Sequence, residues 1–351
     1  MSTLVSSKTF PACTFHVCGA PLRISFTEAP LRRCTETVLR HKGIVPADRP
    51  SPPAESDARM VVERSARPPH VPAQSESLGR YDESSIDIVR CSDSLFFLGP
   101  GIWAHVNVER RTSQVVVAPS VEIREPRGPT RAFTHVIGFV LVGLLQARSW
   151  YPLHAAVLAR NGRGLVLLAE SDAGKSTTAF QLVRNGWSYV SDDNVLLRRS
   201  PLGIEAVSLR PEFCLDADAA IHFPELRTHP WPRMVGDEVK WRVDPQRLYP
   251  GRFVSSCLPR ALVLPSIVDV PASSVTPAPA TDLLPPLLQQ SGFSLSIGSE
   301  RSAQHFRLLG QFLRQCTTYR LCSGRDGLDD GRALDRLLRP LIAPVPASSA
   351  D

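Results

Sequence analysis

No stretch of this 351-residue chain is apolar for long enough to cross a bilayer as a helix. The longest such run, Val136 to Leu145, is broken by glycines and falls well short of the roughly 20 residues required. The opening residues, MSTLVSSKTF, contain neither a charged segment followed by an apolar one nor a cleavage signal, so secretion is not expected and a cytoplasmic location is. The eight cysteines, at positions 13, 18, 34, 91, 214, 257, 316 and 322, lie far apart, and no second Cys or His pair completes a zinc ligand set around Cys13 and Cys18. They read as free thiols in a reducing compartment. No basic run is dense enough for a nucleic-acid tail or a lipid-binding patch, because the net charge of +6 comes mostly from dispersed arginines. Neither nucleic acid nor membrane is therefore expected as a partner. No internal repeat is present.

A hydrophobic content of 43% is ample for a sizeable core. The composition divides the chain into four parts. Residues 1–80 mix short apolar patches with a stretch rich in Pro, Ser and charge, and are expected to be a largely disordered tail. Residues 81–149 hold short β-rich runs (IDIVRCSD, SLFFLG, WAHVNVER, SQVVVAPS) that read as an antiparallel meander, followed by a buried helix from Phe133 to Arg148. Residues 150–341 alternate strands and helices, and 342–351 are expected to form a short disordered end. The fold class is α/β (α+β) with a mixed sheet.

The informative segment lies at 151–197. Leu153 to Ala159 reads as one apolar strand, Arg160-Asn161-Gly162-Arg163 as a tight hairpin turn, and Gly164 to Ala169 as a second strand. Next comes Ala169-Glu170-Ser171-Asp172-Ala173-Gly174-Lys175-Ser176-Thr177, then a helix from Lys175 to Arg184 that stops at Asn185-Gly186, then a strand from Trp187 to Val190 ending in Ser191-Asp192-Asp193. A strand, a turn of small residues, Gly-Lys-Ser and a helix make a phosphate cradle. The helix's first N–H groups point inward, its dipole adds positive potential, the lysine reaches the outer phosphates and the next hydroxyl ligates magnesium. Those roles fall to Gly174, Lys175 and Ser176. Ala169 stands where the usual pattern has its first glycine.

With Asn161-Gly162 at the centre of a type I′ turn, counting back along the ladder sets His154 opposite Ala169. The strand ending in Asp192 is expected beside the loop strand and parallel to it, which brings a metal ligand and a base to the same edge. Lys240 is a weaker candidate for the phosphates, better read as part of a solvated charge cluster. Beyond these, Leu258 to Val270 is expected as a strand, Val275 to Pro286 as a Pro-rich connection, and Ser302 to Arg314 as a helix with Phe306, Leu309 and Leu313 on one side.

LHAAVLARNGRGLVLLAESDAGKSTTAFQLVRNGWSYVSDDNVLL resembles the catalytic core of the HPr serine kinase/phosphorylase family, and more closely its shorter relatives, the HPr-kinase-like proteins of peptide-modification gene clusters. The match is specific over about residues 150–200 and loose to about 330. It implies a phosphoenolpyruvate carboxykinase-like nucleotide-binding fold with ATP and Mg²⁺ as cofactors. The loop Ala169–Thr177 would bind nucleotide, Lys175 the transferred phosphate, and Ser176 and Asp193 the metal. Asp192 would be the base and His154 a neighbour of the transferred group. The glycine-rich signature that true HPr kinases carry downstream is missing, so HPr is not the expected substrate. The expected activity is phosphoryl transfer to a hydroxyl, such as the serine of a peptide or protein. A small-metabolite kinase and a non-catalytic nucleotide sensor stay open, as does the oligomeric state.

Overall fold

A computed structural model describes residues 10–47, 54, 57–123, 130–169, 173–209, 212–216, 222–228, 233–235, 239–292, 298–329 and 331–344. The chain divides into two compact units, Met1–Tyr151 with Ser294–His305, and Pro152–Phe293 with Phe306–Asp351.

The first unit is built on eight strands: β1 (Phe10–Val17), β2 (Ala20–Phe26), β3 (Ala58–Arg64), β4 (Glu76–Tyr81), β5 (Ile86–Cys91), β6 (Ser94–Leu98), β7 (Ile102–Asn107) and β8 (Thr112–Val117). They form one sheet in the order β1-β2-β3-β8-β7-β6-β5-β4. The expected meander is β5 to β8, antiparallel throughout. The expected tail over 1–80 is corrected by β1 to β4 and by helix α1 (Ala29–His41). In β2 the alternate residues Ala20, Leu22, Ile24 and Phe26 are buried, and Ala58, Met60 and Val62 continue that row on β3. The strands β2 and β3 are parallel, and a parallel pair requires a crossover. That crossover is α1, whose residues Leu31, Cys34, Thr35, Val38 and Leu39 form one buried stripe. Helix α2 (Arg131–Gln146) packs on β6 to β8 and touches α1; its first turn is capped by the Thr130 hydroxyl, which accepts from the Phe133 N–H.

The second unit holds β9 (Tyr151–His154), β10 (Ala156–Arg160), β11 (Arg163–Leu167), helix α3 (Lys175–Arg184), β12 (Ser188–Ser191), β13 (Asn194–Ser200) and β14 (Gly203–Ser208). Then follow β15 (Phe213–Asp216), β16 (Arg233–Val235), β17 (Val239–Val243), β18 (Ser256–Ile267), β19 (Ser274–Pro277) and β20 (Thr317–Ser323). The large sheet runs β12-β10-β11-β18-β14-β13-β9, with β20 on β18 and β19 on β20; β15, β17 and β16 form a small sheet of their own. Core side chains Leu165, Leu167, Ala261, Val263 and Leu321 pack with Ala179, Phe180, Leu182 and Val183 of α3.

Four further expectations change. The strand expected from Leu153 to Ala159 is two strands, broken at Ala155. The strand leading to Asp192 is not beside β11: β10 lies between, antiparallel to both, so β11 and β12 still run the same way and end at the same edge. The Pro-rich connection contains β19 and a helix, Ala280–Gln290, that includes Pro285 and Pro286. The helix expected over Ser302 to Arg314 spans Gly298–Gln315 and buries Leu308, Leu309 and Phe312, whereas Phe306 is exposed. Cys91, Cys257, Cys316 and Cys322 are free thiols, and among the described residues no helix is long and apolar enough to cross a membrane.

A disordered tail would be indifferent to truncation of Phe26. With that ring fully buried, Phe26→Ala is expected to cost about 3–5 kcal/mol, read as a lower denaturant midpoint for the first unit.

Candidate functional site

The hairpin that leads into the loop folds as its turn residues demand. Asn161 and Gly162 both have positive φ, 52° and 75°, the conformation of a type I′ turn, and Arg160 pairs with Arg163 so that Ala156 falls opposite Leu167. After β11 the chain leaves the sheet, the Leu168 N–H donating to the Val263 carbonyl at 2.9 Å. Glu170, Ser171 and Asp172 lie outside the described residues. Ala173 is half-buried and leads to Gly174, the N-cap of α3, whose φ of 81° is left-handed. A Cβ there would sit 2.8 Å from Ile267 Cδ1, so glycine is required by both conformation and space. Ala169, by contrast, is not among the residues with positive φ, and its methyl is buried; the position needs no glycine.

Lys175 opens α3 and is 7% exposed, with Nζ donating to the Ala169 carbonyl at 2.6 Å. A buried ammonium requires such a partner. The chain has four lysines among its 40 basic residues, so arginine is its ordinary cation, and this position takes the compact, point-like charge instead. Ser176 and Thr177 follow, half-buried, and the Thr178 N–H donates to the Gly174 carbonyl. The first turn of α3 carries no acidic residue, while Arg184 sits in its last turn, so the helix dipole leaves the N-terminus free to attract an anion.

His154 does not meet Ala169 across a ladder. The chain breaks at Ala155, whose N–H donates to the Asp193 carbonyl at 3.0 Å, and His154 falls on β9, which belongs with β13. Its Nδ1 lies 2.8 Å from Asp193 Oδ1. A carboxylate only accepts, so Nδ1 carries the proton. Asp193 is 28% exposed, and its second oxygen accepts from the Asn194 amide. Asp192 is 1% exposed; one oxygen accepts from the Tyr189 hydroxyl at 3.4 Å and the other from the Cys214 N–H at 2.7 Å. The Ser191 hydroxyl closes the turn by donating to the Asn194 carbonyl.

The structure thus gathers His154, Asp193, Asp192 and the start of α3 at the edge where β11 and β12 end. Lys240 lies on β17, opposite Asp216 in the small sheet. Sequence reasoning missed Tyr189, Asn194 and Ile267; the adjacency of Ser191 and Asn194 to the Asp pair marked a side-chain-closed turn, whereas Ile267 left no local trace.

Against known proteins, the family described as SynChlorMet cassette protein ScmC matches residues 135–207, from within α2 through the loop to β14. The Hpr(Ser) kinase/phosphatase from Coxiella burnetii aligns over 54% of this chain and 94% of that one, at 12% identity and a TM-score of 0.27. That superposition is too loose to transfer any residue's role. No curated protein matches.

The two carboxylates should separate in a stability measurement. Asp192→Ala strands a hydroxyl and an N–H and is expected to cost about 1–3 kcal/mol, whereas Asp193→Ala stays within about 0.5 kcal/mol, both read from denaturant unfolding.

Proposed function

We propose that this chain is an ATP- and Mg²⁺-dependent kinase that transfers a phosphoryl group to a hydroxyl, with the serine of a peptide or protein as acceptor. The observation that carries the reading is the His154–Asp193 pair, 2.8 Å long, at the sheet edge where Gly174, Lys175 and Ser176 open α3. A bare phosphate-binding helix start has no use for an oriented, accessible carboxylate; a hydroxyl kinase does.

The residues fit the nucleotide and its ion. Helix N–H groups, the dipole and Lys175 suit the phosphates. Mg²⁺ keeps several waters and phosphate oxygens and takes few protein ligands. Ser176 would supply a hydroxyl to it. Bound, the ion would neutralise phosphate charge. Lys175 would exchange the Ala169 carbonyl for the outer phosphates. The acceptor hydroxyl would give its proton to Asp193 as its oxygen bonds to the terminal phosphorus and the bond to the bridging oxygen breaks, leaving ADP. His154 would hold the carboxylate in place, and positioning and charge neutralisation would supply most of the acceleration.

This division moves the base from Asp192 to Asp193, which was first expected as a metal ligand, and leaves Ser176 as the residue named for the ion. Asp192 is buried with both oxygens engaged, so it suits anchoring of the turn; Asp193 is accessible, so it suits the base. A peptide or protein acceptor draws support from the family matched over residues 135–207, a cassette protein family, which fits an acceptor encoded by neighbouring genes.

With labelled ATP offered to serine peptides and to free serine, transfer is expected to the peptides. Lys175→Ala should abolish nucleotide binding, and Asp193→Asn should keep it while lowering transfer by roughly 10²–10⁴-fold. Full transfer by Asp193→Asn would return the base role to Asp192, and ATP binding unaffected by Lys175→Ala would end the kinase reading.

A further inference from the structure

The loop strand β11 has two flanks. On one lie β10, which begins two residues after His154, and β12, which ends two residues before Asp193. On the other lie β18 and β20, both parallel to β11 in their pairing, so their last residues also emerge at the edge where α3 begins. If the transferred phosphate faces His154 and Asp193, the phosphate chain runs across the start of α3 and the nucleoside must leave over β18 and β20. This step rests on the nucleotide reading given above.

That flank carries an apolar surface with no structural explanation. Among the described residues only six large hydrophobic side chains are well exposed, and Ile267 (49%) and Val270 (40%) are two of them. Ile267 packs against the Cα of Gly174, so the patch is continuous with the phosphate loop. Ser323 lies opposite Ile267 in the β18–β20 ladder, and parallel partners share a sheet face. Ser323 is 3% exposed, and its buried hydroxyl has no hydrogen-bond partner, a state that ordinarily calls for one.

The segment carrying Val270 is held rigid. Asp326 Oδ1 accepts from the Ser273 N–H at 2.7 Å and from its hydroxyl at 2.6 Å. The Gly324 N–H donates to Ser273 Oγ at 3.0 Å, and the Arg325 N–H to the Val270 carbonyl at 2.9 Å. A Cβ on Gly324 would lie 2.7 Å from the Val270 carbonyl oxygen, so the two segments touch through backbone. Asp269 and Arg325 form an exposed ion pair at 2.7 Å beside them. An exposed valine held out on a fastened loop is a prepared surface, since its ordering is complete before a ligand arrives.

The geometry points to Ile267 and Val270, with the Ser323 hydroxyl beside Ile267 on the neighbouring strand, as the nucleoside subsite of the same nucleotide: an aliphatic platform for the face of the base and a hydrogen-bonding group for the sugar side.

Inorganic tripolyphosphate carries the phosphates without the nucleoside, so the pair of ligands isolates this contact. In titration calorimetry with Mg²⁺, Val270→Asp is expected to weaken ATP roughly tenfold and to leave tripolyphosphate unchanged, while Val270→Leu keeps both affinities. ATP binding that depends on Lys175 but is untouched by Val270→Asp would overturn the subsite and leave the nucleotide reading standing, as would equal losses for both ligands. ATP binding indifferent to Lys175→Ala would remove both.

Discussion

One backbone hydrogen bond organises the candidate site: the Ala155 N–H donating to the Asp193 carbonyl. Without it the first hairpin strand would run unbroken from Leu153, and His154 would extend the ladder above the loop. With it, the strand hands over to β9, the imidazole turns to the β12–β13 corner, and a histidine and a carboxylate nearly forty residues apart in sequence become a 2.8 Å pair. The hairpin holds the other end, because Asn161 and Gly162 set the register that puts Ala156 beside Leu167 and so fixes where the loop departs.

The sheet then sorts chemistry by flank. His154 and Asp193 stand by the start of β10 and the end of β12, Ile267 and Val270 by the end of β18, and α3 follows β11, which ends at the same edge. Inserting β10 between β11 and β12 widens the distance across which the helix must cross, and the buried face of α3, Ala179 to Val183, covers that span. Arg184 at the far end of α3 complements the carbonyl end of its dipole, which leaves the lysine end as the positive pole.

Much of this was legible where local rules decide structure. The I′ turn, the bounds of α3 from Lys175 to Arg184, its stop at Asn185-Gly186 and the meander of β5 to β8 follow from turn chemistry and periodicity. The first 80 residues were not, because β2 and β3 pair in parallel through a crossover, so no adjacent segment reveals the partner that buries Ile24 or Val62. Strand order failed for the same reason: nothing in residues 185–193 records that β10 stands next to β12. The roles of Asp192 and Asp193 are alike on paper and separate only through Tyr189 and the Cys214 N–H, one of them more than twenty residues away. The missing first glycine at Ala169 misled less than it threatened, because the loop uses that residue's carbonyl and leaves its side chain in the core.

Asp192 and Asp193 share a peptide group, a plane that does not bend. On one side of it Asp192 grips the Cys214 N–H of β15, and thereby the small sheet β15-β17-β16; on the other Asp193 faces His154. One dipeptide therefore joins the small sheet to the candidate site: its first residue is tied to β15 and its second to the imidazole of His154.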